Sequence, residues 1–160
     1  MEEKAIVVDI DGVLLDVSLL YKQIENLGLE GQAKWNFFHE NANNPKYAVK
    51  VDKFFNLVNM YAQAGYKIIV LTSRRDLIGK STLHYLLNGD VKLDNLTEMV
   101  LRPVDKEGTP SYLYKKEEIQ KLHKRYNIEL ILDDEYANCA IFRQLGFTVL
   151  RVIKKGIADE

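Results

Sequence analysis

Short runs of consecutive apolar residues alternate along this chain with longer stretches in which apolar positions recur every three or four residues. The first run, Ala5-Ile6-Val7-Val8, is continuous and partly β-branched, which predicts a strand buried on both faces. A helical spacing follows at Leu19, Leu20, Ile24 and Leu27, and Gly28 would stop it. Residues 28–46 are less regular. Val51, Phe54, Phe55, Val58 and Tyr61 then share one helix face, ahead of Gly65. A second buried strand is predicted over residues 66–71 and a helix over 79–87, with Leu83, Leu86 and Leu87 inward. Residues 98–101 read as a strand, and 116–126 as a helix with Ile119, Leu122 and Tyr126 on one side. A fourth strand spans 129–132. A helix through Ala137, Ala140, Ile141 and Leu145 ends at Gly146, 147–152 forms a last strand, and the tail 154–160 frays.

Strand–helix alternation of this kind implies a parallel sheet covered by helices on both faces. Ligands of such sheets sit beyond the carboxyl ends of the strands. Asp9 and Asp11, Thr72 and Arg74, Arg102, and Asp133 with Asp134 all fall at predicted strand ends. The segment from about 17 to 50 is too short for a second domain and reads as a small insertion after the first strand. Its Trp35, Phe37 and Phe38 suit stacking on a base or sugar, although packing onto the body is the commoner use of such aromatics.

With 160 residues the chain is expected to form one domain with a sizeable core. A net charge of −1 gives no global field to draw it onto nucleic acid or anionic membrane. Cys139 is the only cysteine, which excludes an intrachain disulfide and fits a reducing compartment. The first apolar run meets Asp9 too soon for a signal peptide, and no apolar segment reaches spanning length. A cytoplasmic protein without membrane association is the expectation; the oligomeric state is left open.

Two carboxylates one residue apart at the end of a buried strand repel each other, and a hard divalent cation would offset that. A calcium loop is disfavoured, because the position eleven residues after Asp9 is Leu20 rather than an acid. Gly79-Lys80-Ser81-Thr82 looks like the end of a phosphate-binding loop, but the position that should hold its first glycine is Arg74. A phosphate monoester would use the strand-end groups together. Asp9 would attack phosphorus, and Asp11 would act as general acid and then base. Thr72 would bind phosphoryl oxygens, Lys116 would neutralise developing charge, and Asp133 and Asp134 would help hold Mg2+.

These residues resemble the four motifs of the haloacid dehalogenase-like (HAD) phosphatase superfamily. The matching segments are Val8-Asp9-Ile10-Asp11-Gly12-Val13, Val70-Leu71-Thr72, a lysine at Lys116, and Leu132-Asp133-Asp134. The resemblance implies a Rossmann-like three-layer α/β sandwich with a central parallel sheet and a minimal cap insertion. It implies Asp9 as nucleophile, Asp11 as acid/base and as Mg2+ ligand through its carbonyl, Thr72 as phosphate binder, and Asp134 on the metal with Asp133 beside it. Lys115 competes with Lys116 for the lysine role, and Lys116 is preferred because Lys116-Glu117-Glu118-Ile119 matches the 3′-phosphatase domain of phage-type polynucleotide kinases. Thr72-Ser73-Arg74 and Leu101-Arg102-Pro103 are similar to that domain too, which implies substrate-binding roles for Ser73, Arg74 and Arg102. Where such relatives often carry an aspartate four residues before the motif lysine, this chain has Tyr112. The expected partner is a phosphorylated substrate, best a nucleic-acid or nucleotide 3′-phosphate. A small metabolite, mononucleotide or sugar phosphate is the alternative, and a non-catalytic module that binds a phosphorylated partner is the alternative of another class.

Overall fold

The computed structural model describes residues 2–154; the predicted tail beyond Lys154 lies outside them. The central strand is β1 (Glu3–Val8). On one side of it lie β4 (Lys67–Arg75) and β5 (Glu98–Arg102), and on the other β6 (Tyr126–Asp133) and β7 (Val149–Arg151). All neighbouring pairs in the order β5-β4-β1-β6-β7 are parallel.

The continuous apolar runs arise because both faces of this sheet are covered. Ile6, Val8, Ile68, Val70, Leu130 and Leu132 face one core, while Ala5, Val7, Ile69, Leu71 and Ile131 face the other. The first core is closed by α3 (Asp52–Gln63) and α4 (Gly79–Leu87), through Phe55, Val58 and Leu86. The second is closed by α5 (Ser111–His123) and α6 (Tyr136–Gln144), through Ile119, Leu122, Cys139 and Phe142. Burial of this continuous apolar surface is the main favourable term holding the three layers together.

Between β1 and α3 the chain makes a tight turn at 10–15 and leaves the body through β2 (Leu15–Asp16). It forms α1 (Ser18–Asn26) and α2 (Gly31–Asn41), then returns through β3 (Val49–Lys50), antiparallel to β2. The base of this excursion is therefore a two-strand ribbon. Residues 31–41 form a helix where no periodicity announced one: Ala33, Trp35, Phe37 and Phe38 do not fall on one helical stripe, and only Phe38 is buried. In α4 Thr82 and Leu86 are buried and Leu87 packs against the core as expected, while Leu83 is 38% exposed rather than inward. The α5 helix starts five residues earlier than predicted and ends at His123, so Tyr126 belongs to β6. Among the described residues, no helix is long and apolar enough to cross a membrane.

Candidate active site

Asp9 follows β1 directly, and its backbone N–H donates to Leu132 O at 2.9 Å, continuing the ladder with β6 by one residue. At the end of β6 stand Asp133 and Asp134. Carboxylate oxygens of Asp9, Asp133 and Asp134 lie within 4.8 Å of one another. Lys115 sits between two of them, with Nζ 2.7 Å from Asp133 Oδ2 and 3.1 Å from Asp9 Oδ1. The lysine is 2% exposed. Burial alone would lower its proton affinity, but Asp133 and Asp9 outweigh that and hold Lys115 above the ordinary lysine range.

Lys115, then, and not Lys116, reaches the acidic cluster. The reason is helical phase: Lys115, Ile119 and Leu122 form one inward stripe on α5, and Lys116 lies a further 100° or so round the helix, half-buried and away from the acids. Tracing that stripe back from Ile119 by one turn would have found Lys115 in the sequence. Four residues before Lys115 stands Ser111, whose Oγ lies 2.8 Å from Ser73 Oγ. Asn138 of α6 donates to both oxygens of Asp133, at 3.2 and 3.3 Å, and the Glu135 backbone N–H donates to Asp133 Oδ1 at 2.9 Å.

Three carboxylates against one ammonium leave an excess of negative charge. Burial first, and then Asp133, Asp134 and Asp11, push Asp9 well above the usual carboxylate range in spite of Lys115. Burial and Asp133 likewise hold Asp134 up, at about 6. An all-oxygen, net-negative donor set of this kind fits a hard dication. Asp133 already spends its oxygens on Lys115, Asn138 and the Glu135 N–H, which leaves Asp9 and Asp134 as the freer donors. Gly12 makes room for that arrangement. Its φ is +83°, and a Cβ there would lie 1.9 Å from Asp134 Oδ2.

The side chain of Asp11 is outside this cluster. Arg74 Nε donates to its Oδ2 at 3.0 Å and Nη2 to its Oδ1 at 2.7 Å. Arg74, expected on the substrate, is buried and wholly committed to protein groups, because its other N–H groups go to Ala42 O, Asn43 Oδ1 and Thr82 Oγ1. Thr72 is buried as well. Its Oγ1 accepts the Arg74 backbone N–H at 3.0 Å, and the side chain does not line the cavity. Ser73, the next residue along β4, does line it. Arg102 stacks over the Tyr114 ring at 4.9 Å and donates from Nη1 to Lys106 O and Thr109 O, so it shapes the loop after β5 while lining the same cavity.

That cavity has a volume of about 610 Å³. Asp9, Asp11, Lys115 and Asp134 line one part of it, and the insertion supplies Tyr21, Trp35 and His39. Trp35 and Tyr21 are 41% and 40% exposed, while Phe38 is buried behind them and Phe37 packs against the core. Burial and the carboxylates of Asp11, Asp134 and Asp9 push the Tyr21 phenol up, so it stays protonated. Across from the insertion, Arg75 Nε pairs with Glu107 at 2.8 Å, its Nη1 lies 3.4 Å from Asn36 Oδ1, and its backbone N–H donates to His39 Nε2 at 3.4 Å. Ser111, Asn138, Asn43 and Tyr21 were not singled out from the sequence as site residues. Lys115 stood there as the competitor of Lys116, and its helical phase was the signal that favours it.

Residues 1–139 match the family model of the HAD superfamily, subfamily IIIB (acid phosphatase). A search of curated proteins finds no match. In fold, the chain is similar to a chain of the Pnkp1/Rnl/Hen1 RNA repair complex, with a TM-score of 0.73 and 20% identity over 94% of this chain and 42% of that one. It is also similar to the class C acid phosphatase from Bacillus anthracis with tungstate bound, at TM-score 0.68 and 18% identity over 86% of this chain and 54% of that one. A HAD family enzyme from Bacteroides thetaiotaomicron, in complex with magnesium and inorganic phosphate, aligns at TM-score 0.60 and 14% identity over 98% of this chain and 96% of that one. The chain spans less than half the length of the repair-complex chain and about half that of the acid phosphatase. The family match covers most of the chain, and the parallel sheet brings Asp9, Lys115, Asp133 and Asp134 together at its carboxyl edge; the chain belongs to the HAD superfamily, subfamily IIIB.

Proposed function

We propose that this chain is a Mg2+-dependent phosphatase that works through an aspartyl-phosphate on Asp9 and takes a nucleic-acid or nucleotide 3′-phosphate as substrate. The observation that carries the chemistry is the cluster of Asp9, Asp133 and Asp134 around the buried ammonium of Lys115, opening into the 610 Å³ cavity. An Asp9 oxygen attacks phosphorus, and the bond to the leaving oxygen breaks as that oxygen takes a proton from Asp11. Asp11, now a carboxylate, accepts a proton from water as the water attacks the phosphorus, which frees phosphate and restores Asp9. Lys115 holds the Asp9 carboxylate in place and offsets charge in both steps. Ser73, which lines the cavity, serves the phosphoryl oxygens, and the buried Thr72 beside it holds the end of β4 through the Arg74 backbone N–H. Asp9 and Asp134 would hold Mg2+, with Asp11 contributing its carbonyl and Asp133 fixing Lys115. The bound ion supplies positive charge to the phosphoryl oxygens.

Support for the leaving group comes from the part-exposed Trp35 and Tyr21 in the cavity lining, which suit a base or ribose more than a small polar metabolite. The similarity in fold to a chain of an RNA repair complex points the same way. A mononucleotide or another small ester is favoured by one observation: Arg75 links Glu107 to Asn36 and His39 across the cavity and limits the room for a polymer.

Steady-state rates on 3′-phosphorylated oligonucleotides, 3′-mononucleotides and sugar phosphates, with and without Mg2+, test the proposal. The expected order is oligonucleotide or nucleotide well above sugar phosphate, with activity lost on chelation and in Asp9→Asn. Normal turnover by Asp9→Asn would remove the aspartyl-phosphate, and equal rates on all three esters would remove the substrate assignment.

A further inference from the structure

The geometry points to Arg74 and Asn43 as a pair of positioning residues that orient Asp11 as proton donor and anchor it to the end of the insertion; this rests on the acid/base reading of Asp11. A guanidinium has five N–H donors. Arg74 directs them to Asp11 Oδ2 at 3.0 Å, Asp11 Oδ1 at 2.7 Å, Ala42 O at 2.9 Å, Asn43 Oδ1 at 2.6 Å and Thr82 Oγ1 at 3.3 Å. None is left for a phosphate. The bidentate fork fixes the plane of the Asp11 carboxylate as well as its position.

Asn43 is itself held so that only its oxygen faces Arg74. Its Nδ2 donates to Ser81 Oγ and Thr82 Oγ1, both at 3.1 Å, at the start of α4. The Gly79-Lys80-Ser81-Thr82 segment, which resembles part of a phosphate loop, therefore serves to clamp Asn43. Ala42 and Asn43 follow α2 directly, the helix that brings Trp35 and His39 to the cavity. One arginine thus joins the aspartate that must meet the leaving oxygen to the segment that meets the rest of the substrate. For Asp11 to meet the leaving group, one of its oxygens has to turn from the fork, and the remaining oxygen stays on Arg74 as pivot. Without Asn43, Nη1 keeps only the longer contact to Thr82, and the fork loses its backing.

A positioning role has a signature that a merely structural one lacks. Departure of p-nitrophenolate needs no proton, whereas departure of an alkoxide does. The values of kcat/KM, which report the steps up to leaving-group departure, are measured for a series of aryl and alkyl phosphates on wild type, Asn43→Ala and Asp11→Asn, with thermal melting as a check on folding. Asn43→Ala should lower kcat/KM by about tenfold for alkyl and nucleoside phosphates and by a small factor for p-nitrophenyl phosphate. Asp11→Asn should show the same dependence more steeply. An equal fall, or no fall, across the series in Asn43→Ala overturns the proposal while a steep Asp11→Asn series leaves the acid/base reading standing. A flat series in Asp11→Asn overturns both.

Discussion

Replacing Lys115 by methionine keeps most of the unbranched side chain and removes its charge from between Asp133 and Asp9, which lie 2.7 and 3.1 Å from Nζ. Three carboxylates whose oxygens lie within 4.8 Å are then left without a buried cation. At that separation each charged pair repels by roughly 3 kcal/mol for an effective dielectric of about 20. Proton uptake relieves part of this, since Asp9 and Asp134 are already held above the usual carboxylate range. A net cost of about 3–5 kcal/mol remains, as is usual when one partner of a buried pair is removed. Against a typical total of about 5–15 kcal/mol, that is a large share. The sign with pH follows from the acids: carboxyls raised in the folded state favour folding when protonated and oppose it once ionised. Lys115→Met should accordingly be less destabilised at about pH 5 than at about pH 7.5, and Mg2+ should recover part of the loss at the higher pH. Urea denaturation of Lys115→Met and Lys116→Met, each at both pH values, measures it. Lys116→Met should stay within about 0.5 kcal/mol of wild type. The reasoning is refuted if Lys116→Met costs more than Lys115→Met, or if Lys115→Met unfolds at the same urea concentration as wild type.

Gly12→Ala places a methyl group 1.9 Å from Asp134 Oδ2 at φ +83°, so the carboxylate must retreat by about 1 Å or more; Mg2+ affinity by calorimetry should fall at least about tenfold, and unchanged affinity would exclude Asp134 as a ligand. In metal-free protein Asp134 titrates at about 6, raised by burial and Asp133 from 3.8, so its contribution to stability is complete below about pH 4 and is lost as pH rises through about 6. Millimolar Mg2+ should raise Tm at about pH 7.5 and hardly at all at about pH 5, by scanning fluorimetry; an equal rise at both would place the ion elsewhere. Trp35→Ala should raise KM for 3′-nucleotides by roughly tenfold and leave KM for sugar phosphates unchanged, because about 1–3 kcal/mol of base stacking is lost only where a base is present. A parallel rise for both esters would mean that Trp35 shapes the insertion instead of meeting a base.

The layered sheet was legible because its strands are buried on both faces and therefore carry uninterrupted apolar residues, as in Ile68-Ile69-Val70-Leu71. The acids were legible for a related reason. A charge next to such a run stands out, and Asp9 and Asp133 each adjoin one. The α3 helix, with one well-formed apolar stripe, was found near its observed bounds, and so was α4, although Thr82 rather than Leu83 is buried there. The α2 helix was not, because it rests on the body through Phe38 while Trp35 lines the cavity, so no continuous packing stripe runs along it.

Arg74 shows where motif reading gives way to tertiary structure. At a strand end among HAD motifs, an arginine reads as an anion binder, and nothing local says otherwise. What redirects it is Asn43, 31 residues earlier, at the end of an insertion whose return path the sequence does not specify. The same insertion gives Ser81 and Thr82 their partner and so turns a phosphate-loop lookalike into a clamp. Motif residues mark which strand ends carry chemistry. Which of them touches substrate, and which holds another in place, depends on contacts between segments far apart in the chain, and in this chain the insertion decides it.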